Sequence, residues 1–112
     1  MPTKQLFKIS VNIPEEFADA LMDAVTAAMN PVFPNYDRVF ATSRVTGTWR
    51  PLPGAKPYDG SVGEITKAEE IRIEFRTTEK DLSAVLRKIK EIHPYEEPVV
   101  DVDAATDWNA WL

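Results

Sequence analysis

At 112 residues, 44% apolar and 28% charged, the chain has the length of one domain and the composition of a soluble globular protein. Its net charge of −5, from 18 acids against 13 bases, argues against broad nucleic-acid binding, which needs a clustered basic surface. With no cysteine, disulfides and thiolate metal sites are excluded; no apolar run nears the roughly 20 residues that span a bilayer. Met1 to Lys8 lacks the long apolar segment of a secretory leader, so a cytoplasmic protein is expected.

Phe7, Ile9, Val11 and Ile13 alternate with polar residues, the period-2 pattern of a half-buried strand. Pro14 suits the first turn of a helix, and Glu15 and Glu16 complement the positive end of its dipole. Phe17, Leu21, Val25 and Ala28 follow at helical spacing, with Met22 and Met29 widening the stripe, until Asn30-Pro31 ends it. A second strand is expected over Val39 to Trp49. From Arg50 to Thr66 the chain holds Pro51, Pro53, Gly54, Pro57, Gly60 and Gly63, which excludes regular helix. A loop of that length in a compact domain is usually functional or disordered.

Ile71, Ile73 and Phe75 alternate with Arg72, Glu74 and Arg76 in a third strand, whose charges are expected on a solvated face. Thr78 with Asp81 approximates a capping box for a second helix, carried by Leu82, Val85, Leu86, Ile89 and Ile92. Pro94 stops that helix, and Val99, Val100 and Val102 form a short fourth strand. The order is strand, helix, strand, strand, helix, strand. Two crossovers with both helices on one side of the sheet give an α+β ferredoxin-like βαββαβ sandwich. It has a four-stranded antiparallel sheet, a long loop between the second and third strands, and one domain over 1–112. The opposite sheet face would be open, and apolar residues there would call for a second copy.

Several motifs run in order along the chain: Asn35-Tyr36-Asp37, Thr46-Gly47-Thr48-Trp49-Arg50-Pro51, Gly54-Ala55-Lys56-Pro57-Tyr58 and Gly60-Ser61-Val62-Gly63-Glu64. Glu70-Ile71-Arg72-Ile73-Glu74 and His93-Pro94-Tyr95-Glu96-Glu97-Pro98 close the set. Together they resemble the inserted domain of the Nif-three-like (NGG-one-interacting factor) family, in a stand-alone version. The His-Pro-Tyr-Glu element, ending a helix before the last strand, also resembles CutA divalent-ion tolerance proteins. That resemblance implies the PII-like variant of the ferredoxin fold and assembly as trimers. Full-length Nif-three-like proteins carry histidine and carboxylate ligands for two metal ions in a larger core; this sequence has one histidine, so a cyclohydrolase activity is not carried over.

Two candidate sites stand out. His93, Glu96 and Glu97 have the residue types of a divalent-metal or acid–base cluster, since histidine is the usual metal ligand and proton shuttle. The competing reading makes His93 a cap at the helix C-terminus bonded to nearby backbone, with Tyr95 packed beside it. In the 46–63 loop, Thr46, Gly47, Thr48, Arg50, Lys56 and Tyr58 could hold a small anionic ligand through backbone N–H groups and two cations. The competing reading packs Trp49 and Tyr58 against a neighbouring subunit. Trp108 and Trp111 are expected to cover an apolar surface on this subunit or the next. No serine stands beside a base, so a hydrolytic triad is a poor reading.

The function expected is therefore a non-catalytic, self-associating PII/CutA-like module, a trimer in preference to a dimer, binding a small molecule or ion at subunit clefts. It would have no catalytic residue, no organic cofactor, and neither nucleic acid nor membrane as partner. A divalent-metal-binding ion-tolerance protein is the alternative, and a small nucleotide-acting hydrolase the second.

Overall fold

The computed structural model describes residues 5–112; the part of the leader reading that concerns residues 1–4 lies outside them. β1 (Leu6–Ile13) buries Ile9, Val11 and Ile13 completely, as its alternation requires. Pro14, extended at φ −56° and ψ 142°, launches a 3-10 turn (Glu15–Phe17) that runs into α1 (Ala18–Ala28). Leu21 and Val25 are its buried stripe, and Phe17, Met22 and Met29 pack at the margin of the same cluster. β2 (Ala41–Trp49) starts two residues after the expected Val39. β3 (Thr66–Thr78) is far longer than the Ile71–Phe75 pattern suggests. Its first residues pair only with β2, and their inward positions are Thr66, Ala68 and Glu70, so they carry no apolar alternation.

α2 (Glu79–Ile92) drives Val85 and Ile89 into the core, and β4 (Val100–Ala105) follows. The sheet order is β2-β3-β1-β4 with every neighbouring pair antiparallel. Ile9, Val11, Ile13, Ile73 and Phe75 form one face of the central strands and meet Leu21, Val25, Val85 and Ile89. Both helices thus cover the same face, and the ferredoxin-like α+β sandwich is the observed fold. No helix among the described residues is long and apolar enough to cross a membrane.

Three local expectations are corrected. Thr78 makes no side-chain cap, and Asp81 instead accepts from the Asn30 backbone N–H at 2.8 Å, tying the end of α1 to the start of α2. The open face is not apolar. The register places Lys8, Ser10 and Asn12 beside Arg76, Glu74 and Arg72, with Asp101 and Asp103 on β4, and Lys8 pairs with Glu74 at 2.8 Å. Charges take that face because nothing in this chain covers it. Trp108 and Trp111, in a final 3-10 turn, are 67% and 82% exposed, so they do not bury themselves against their own chain, while the expected cover on a second copy is left open.

Ile73 lies at zero exposure, opposite Val11 and beneath both helices. Ile73→Asp should cost about 3–5 kcal/mol, because it leaves an uncompensated charge in the core. Ser83→Asp, on the exposed side of α2, should change stability by no more than ~0.5 kcal/mol. Urea titration of the two variants checks both; an unshifted Ile73→Asp midpoint would displace this strand from the core.

Candidate functional site

β1 ends at Ile13, opposite Ile71, but β3 begins at Thr66 and β2 ends at Trp49. Residues 45–49 and 66–70 therefore run on as a two-stranded ribbon past the central strand, and the molecule is 54 Å long and 23 Å across. The 50–65 loop folds back from the ribbon's tip, and residues 93–99 come in after α2. The three segments enclose a cavity of about 510 Å³, lined by Asn12, Gly47, Trp49, Tyr58, Glu70 and Tyr95, with Asp59, Glu96, Glu97 and Arg50 also on its wall.

His93 anchors this arrangement. Its backbone N–H donates to the Ile89 carbonyl at 2.9 Å, completing the last helical turn. The Tyr95 backbone N–H donates to Nδ1 at 3.2 Å, so Nδ1 is bare and the proton sits on Nε2. Nε2–H then donates to the Asn12 carbonyl at 2.6 Å, just beyond the last β1–β4 pair, Val11 with Val100. Burial lowers the pKa of the ring, opposed by the Asn12 hydrogen bond and the Glu70 charge, and the imidazole is neutral. Both nitrogens are occupied. Glu96 accepts the Lys56 backbone N–H at 3.1 Å, and Glu97 is exposed. His93, Glu96 and Glu97 are thus not gathered as ligands, and no group of three suitable residues occurs among the described residues.

Tyr95 stands 4.8 Å from the His93 ring, 5.4 Å from Trp49 and 6.0 Å from Tyr58, measured between centroids. Burial pushes its hydroxyl pKa well up, helped by the nearby Glu70 carboxylate and by the charges of Asp59 and Glu16. Glu70 is only 5% exposed, which corrects the reading of its strand as a simple solvated face. Gly47 explains the burial: a Cβ there would overlap the Glu70 carboxylate, so the missing side chain is the space the acid occupies. No lysine or arginine pairs with Glu70 among the described residues.

The loop is held by its own contacts. The Trp49 indole N–H donates to the Asp59 carbonyl at 3.1 Å, and the Gly63 N–H donates to the Pro51 carbonyl at 2.8 Å. Gly60, at φ 106°, turns where a side chain would strike the Thr66 hydroxyl. Tyr58 donates to Glu16 at 3.3 Å and meets Phe17 edge-on at 6.0 Å, so the loop packs back on the β1–α1 corner.

Of the loop residues singled out from sequence, Gly47, Thr48, Arg50 and Tyr58 line the cavity. Thr46 is not brought in: it lies on the other face of the ribbon and donates to Glu69 at 2.7 Å. Lys56 contributes its backbone N–H to Glu96, and its side chain is not on the cavity wall. Trp49 and Tyr58 make ring contacts within this chain, to Tyr95 and Phe17, because the loop closes on residues 93–99 of the same molecule; Tyr58 also keeps about half of its surface exposed. Asn12 and Glu70 were missed. The signal for Glu70 is its diagonal approach to Gly47 across the β2–β3 pair, which is invisible until the register is known.

The CutA1 divalent ion tolerance protein family model matches residues 61–111. A Halalkalibacterium halodurans protein described as a GTP cyclohydrolase 1 type 2 homolog is 33% identical over 100 residues, 89% of this chain and 27% of that protein. The crystal structure of a Bacillus cereus protein related to NIF3 superposes with a TM-score of 0.81 at 26% identity, over 96% of this chain and 27% of the other. CutA1 from the psychrotrophic bacterium Shewanella sp. SIB1 superposes with a TM-score of 0.68 over 98% and 94%; at 15% identity it shows the fold alone. The chain is thus similar to Nif-three-like proteins along most of its own length, as its motif order implied, and spans about a quarter of those relatives. The CutA likeness extends over nearly the whole fold.

The protonation of His93 gives a pH test. Its folded pKa lies below the ordinary 6.5, so below that pH the unfolded chain takes up a proton that the folded chain refuses. The stability contribution is complete above about pH 6.5 and is lost as pH falls toward the folded value. Melting temperature should drop between pH 7 and pH 5. His93→Gln, which keeps an N–H donor for Asn12, should melt lower throughout but lose that part of the slope; an unchanged slope would reassign it to other groups.

Proposed function

We propose that the chain is a non-catalytic, self-associating PII/CutA-like module, acting in the cytoplasm as one unit over 1–112, that binds a small molecule in the ribbon cavity. The observation that carries this reading is the convergence of ribbon, loop and residues 93–99 on one space of about 510 Å³. That size falls within the range of small-molecule sites, ~300–1,000 Å³. The rings, the buried glutamate and the hydrogen-bonded loop build the cavity from one chain, so binding need not wait for assembly. The cyclohydrolase name of the longer relatives describes proteins of which this chain spans about a quarter.

Self-association is supported by the charge pattern of the open face. Arg72 and Arg76 lie on β3, while Asp101 and Asp103 lie on the edge strand β4, with β1 between. An edge-to-edge two-fold contact along β4 would place the acidic edges of two copies together. A head-to-tail contact brings the acidic edge of one copy to the basic side of the next, and such contacts close into rings. This favours a trimer over a dimer, as the CutA resemblance implies.

Light scattering at low salt should give about three times the 12.6 kDa chain mass. Asp101→Arg with Asp103→Arg should yield monomers, and adding Arg72→Asp with Arg76→Asp should restore the ring. A native chain that stays monomeric would overturn the assembly.

A further inference from the structure

We infer that the cavity receives an organic cation, an ammonium or guanidinium head, between the Glu70 carboxylate and the rings of Trp49, Tyr58 and Tyr95. The inference rests on the cavity-binding reading above and adds the chemical class of the ligand.

Charge is the first ground. Asp59, Glu70, Glu96 and Glu97 line the cavity against Arg50 as the one basic side chain on its wall. Glu70 is the decisive member, because it is buried yet has no basic partner among the described residues. A carboxylate accepts about four hydrogen bonds, and Glu70 has no side-chain hydrogen-bond donor within bonding geometry among the described residues, Tyr95 being its near polar neighbour. The carboxylate faces the cavity, where an entering cation would meet its free lone pairs.

The rings are the second ground, independent of charge. Trp49 and Tyr58 lie 5.4 and 6.0 Å from Tyr95, centroid to centroid, and all three line the cavity. Aromatic faces attract cations through their quadrupoles, and clustered rings beside acids are the usual means of holding quaternary ammonium groups. Burial is the main reason the pKa values of Tyr58 and Tyr95 are raised, and the charges of Glu16 and Asp59 add to it at both rings.

Two other ligand classes fit less well. An anion would need free backbone N–H groups, but those of Ala55, Lys56 and Gly63 already donate to Leu52, Glu96 and Pro51. A compact metal ion needs three or four convergent ligands, and the acids here are dispersed around the wall.

The test is NMR titration of the isotope-labelled full chain, reading the Trp49 indole N–H and the cavity amides. Four probes are used: choline, its uncharged analogue 3,3-dimethylbutan-1-ol, inorganic phosphate and Zn(II). Choline should shift these signals with a Kd on the order of 1 mM, and the alcohol should bind about tenfold more weakly. Glu70→Gln should weaken choline about tenfold and leave the alcohol unaffected. Glu97→Lys, at an exposed position, should weaken choline severalfold even if the buried variant fails to fold. Equal binding of choline and the alcohol, or binding of phosphate or Zn(II) in place of choline, overturns the cation while the cavity reading stands. No shift with any of the four overturns both.

Discussion

The hydrogen bond from His93 to the Asn12 carbonyl is the constraint on which the functional end of the molecule depends. Asn12 lies where the β1–β4 ladder has run out, and its carbonyl would otherwise be an unpaired acceptor near the core. Closing it with an imidazole fixes the exit of α2, and the Tyr95 N–H on the other nitrogen fixes the next two residues. Tyr95 is then held where it can reach Glu70, and Glu96 where it can take the Lys56 N–H from the opposite loop. One neutral side chain therefore aligns three segments that are distant in sequence. It can do so only while neutral, since a second ring proton would expel the Tyr95 donor.

The scaffold was legible because its signals are periodic. Ile9, Val11 and Ile13 at spacing two, and Leu82, Val85, Leu86 and Ile89 at helical spacing, name their elements without a structure. The ribbon was not legible in the same way. Residues 66–70 have only β2 beside them, and their inward positions are Thr66, Ala68 and Glu70, so the alternation in burial carries no apolar signal and the strand is longer than its apolar core suggests. The candidate site was half legible. Proline and glycine marked the loop and the 93–98 turn, but not that the two segments meet. Glu70 looked like one more charge on a charged strand. Its burial depends on Gly47 in another strand, and single-strand patterns carry no such information.

The two faces of the sheet divide the work. The covered face is apolar and interlocked with both helices, and it supports the fold. The open face is polar, with acids toward the β4 edge and arginines on β3, so it has direction as well as charge. Self-pairing of exposed edges is a hazard for any open sheet, and charged side chains along β4 blunt it. The same charges give orientation to any contact that does form. The cavity stands at one end of this sheet, on the ribbon that outruns β1, and shares Asn12 with the open face.

Gly47 carries a consequence for how such a module can change over time. The carboxylate of Glu70 occupies volume that a methyl group would claim, and the clash falls on the mobile end of a side chain, not on backbone. A single added carbon at this position would evict the acid from the cavity while leaving the sheet, the helices and the core untouched. The lining of the cavity and the fold are therefore separable traits in this chain. A lineage could silence or reshape the cavity in one step and keep the scaffold, and a lineage that retains glycine there retains the option of an interior charge.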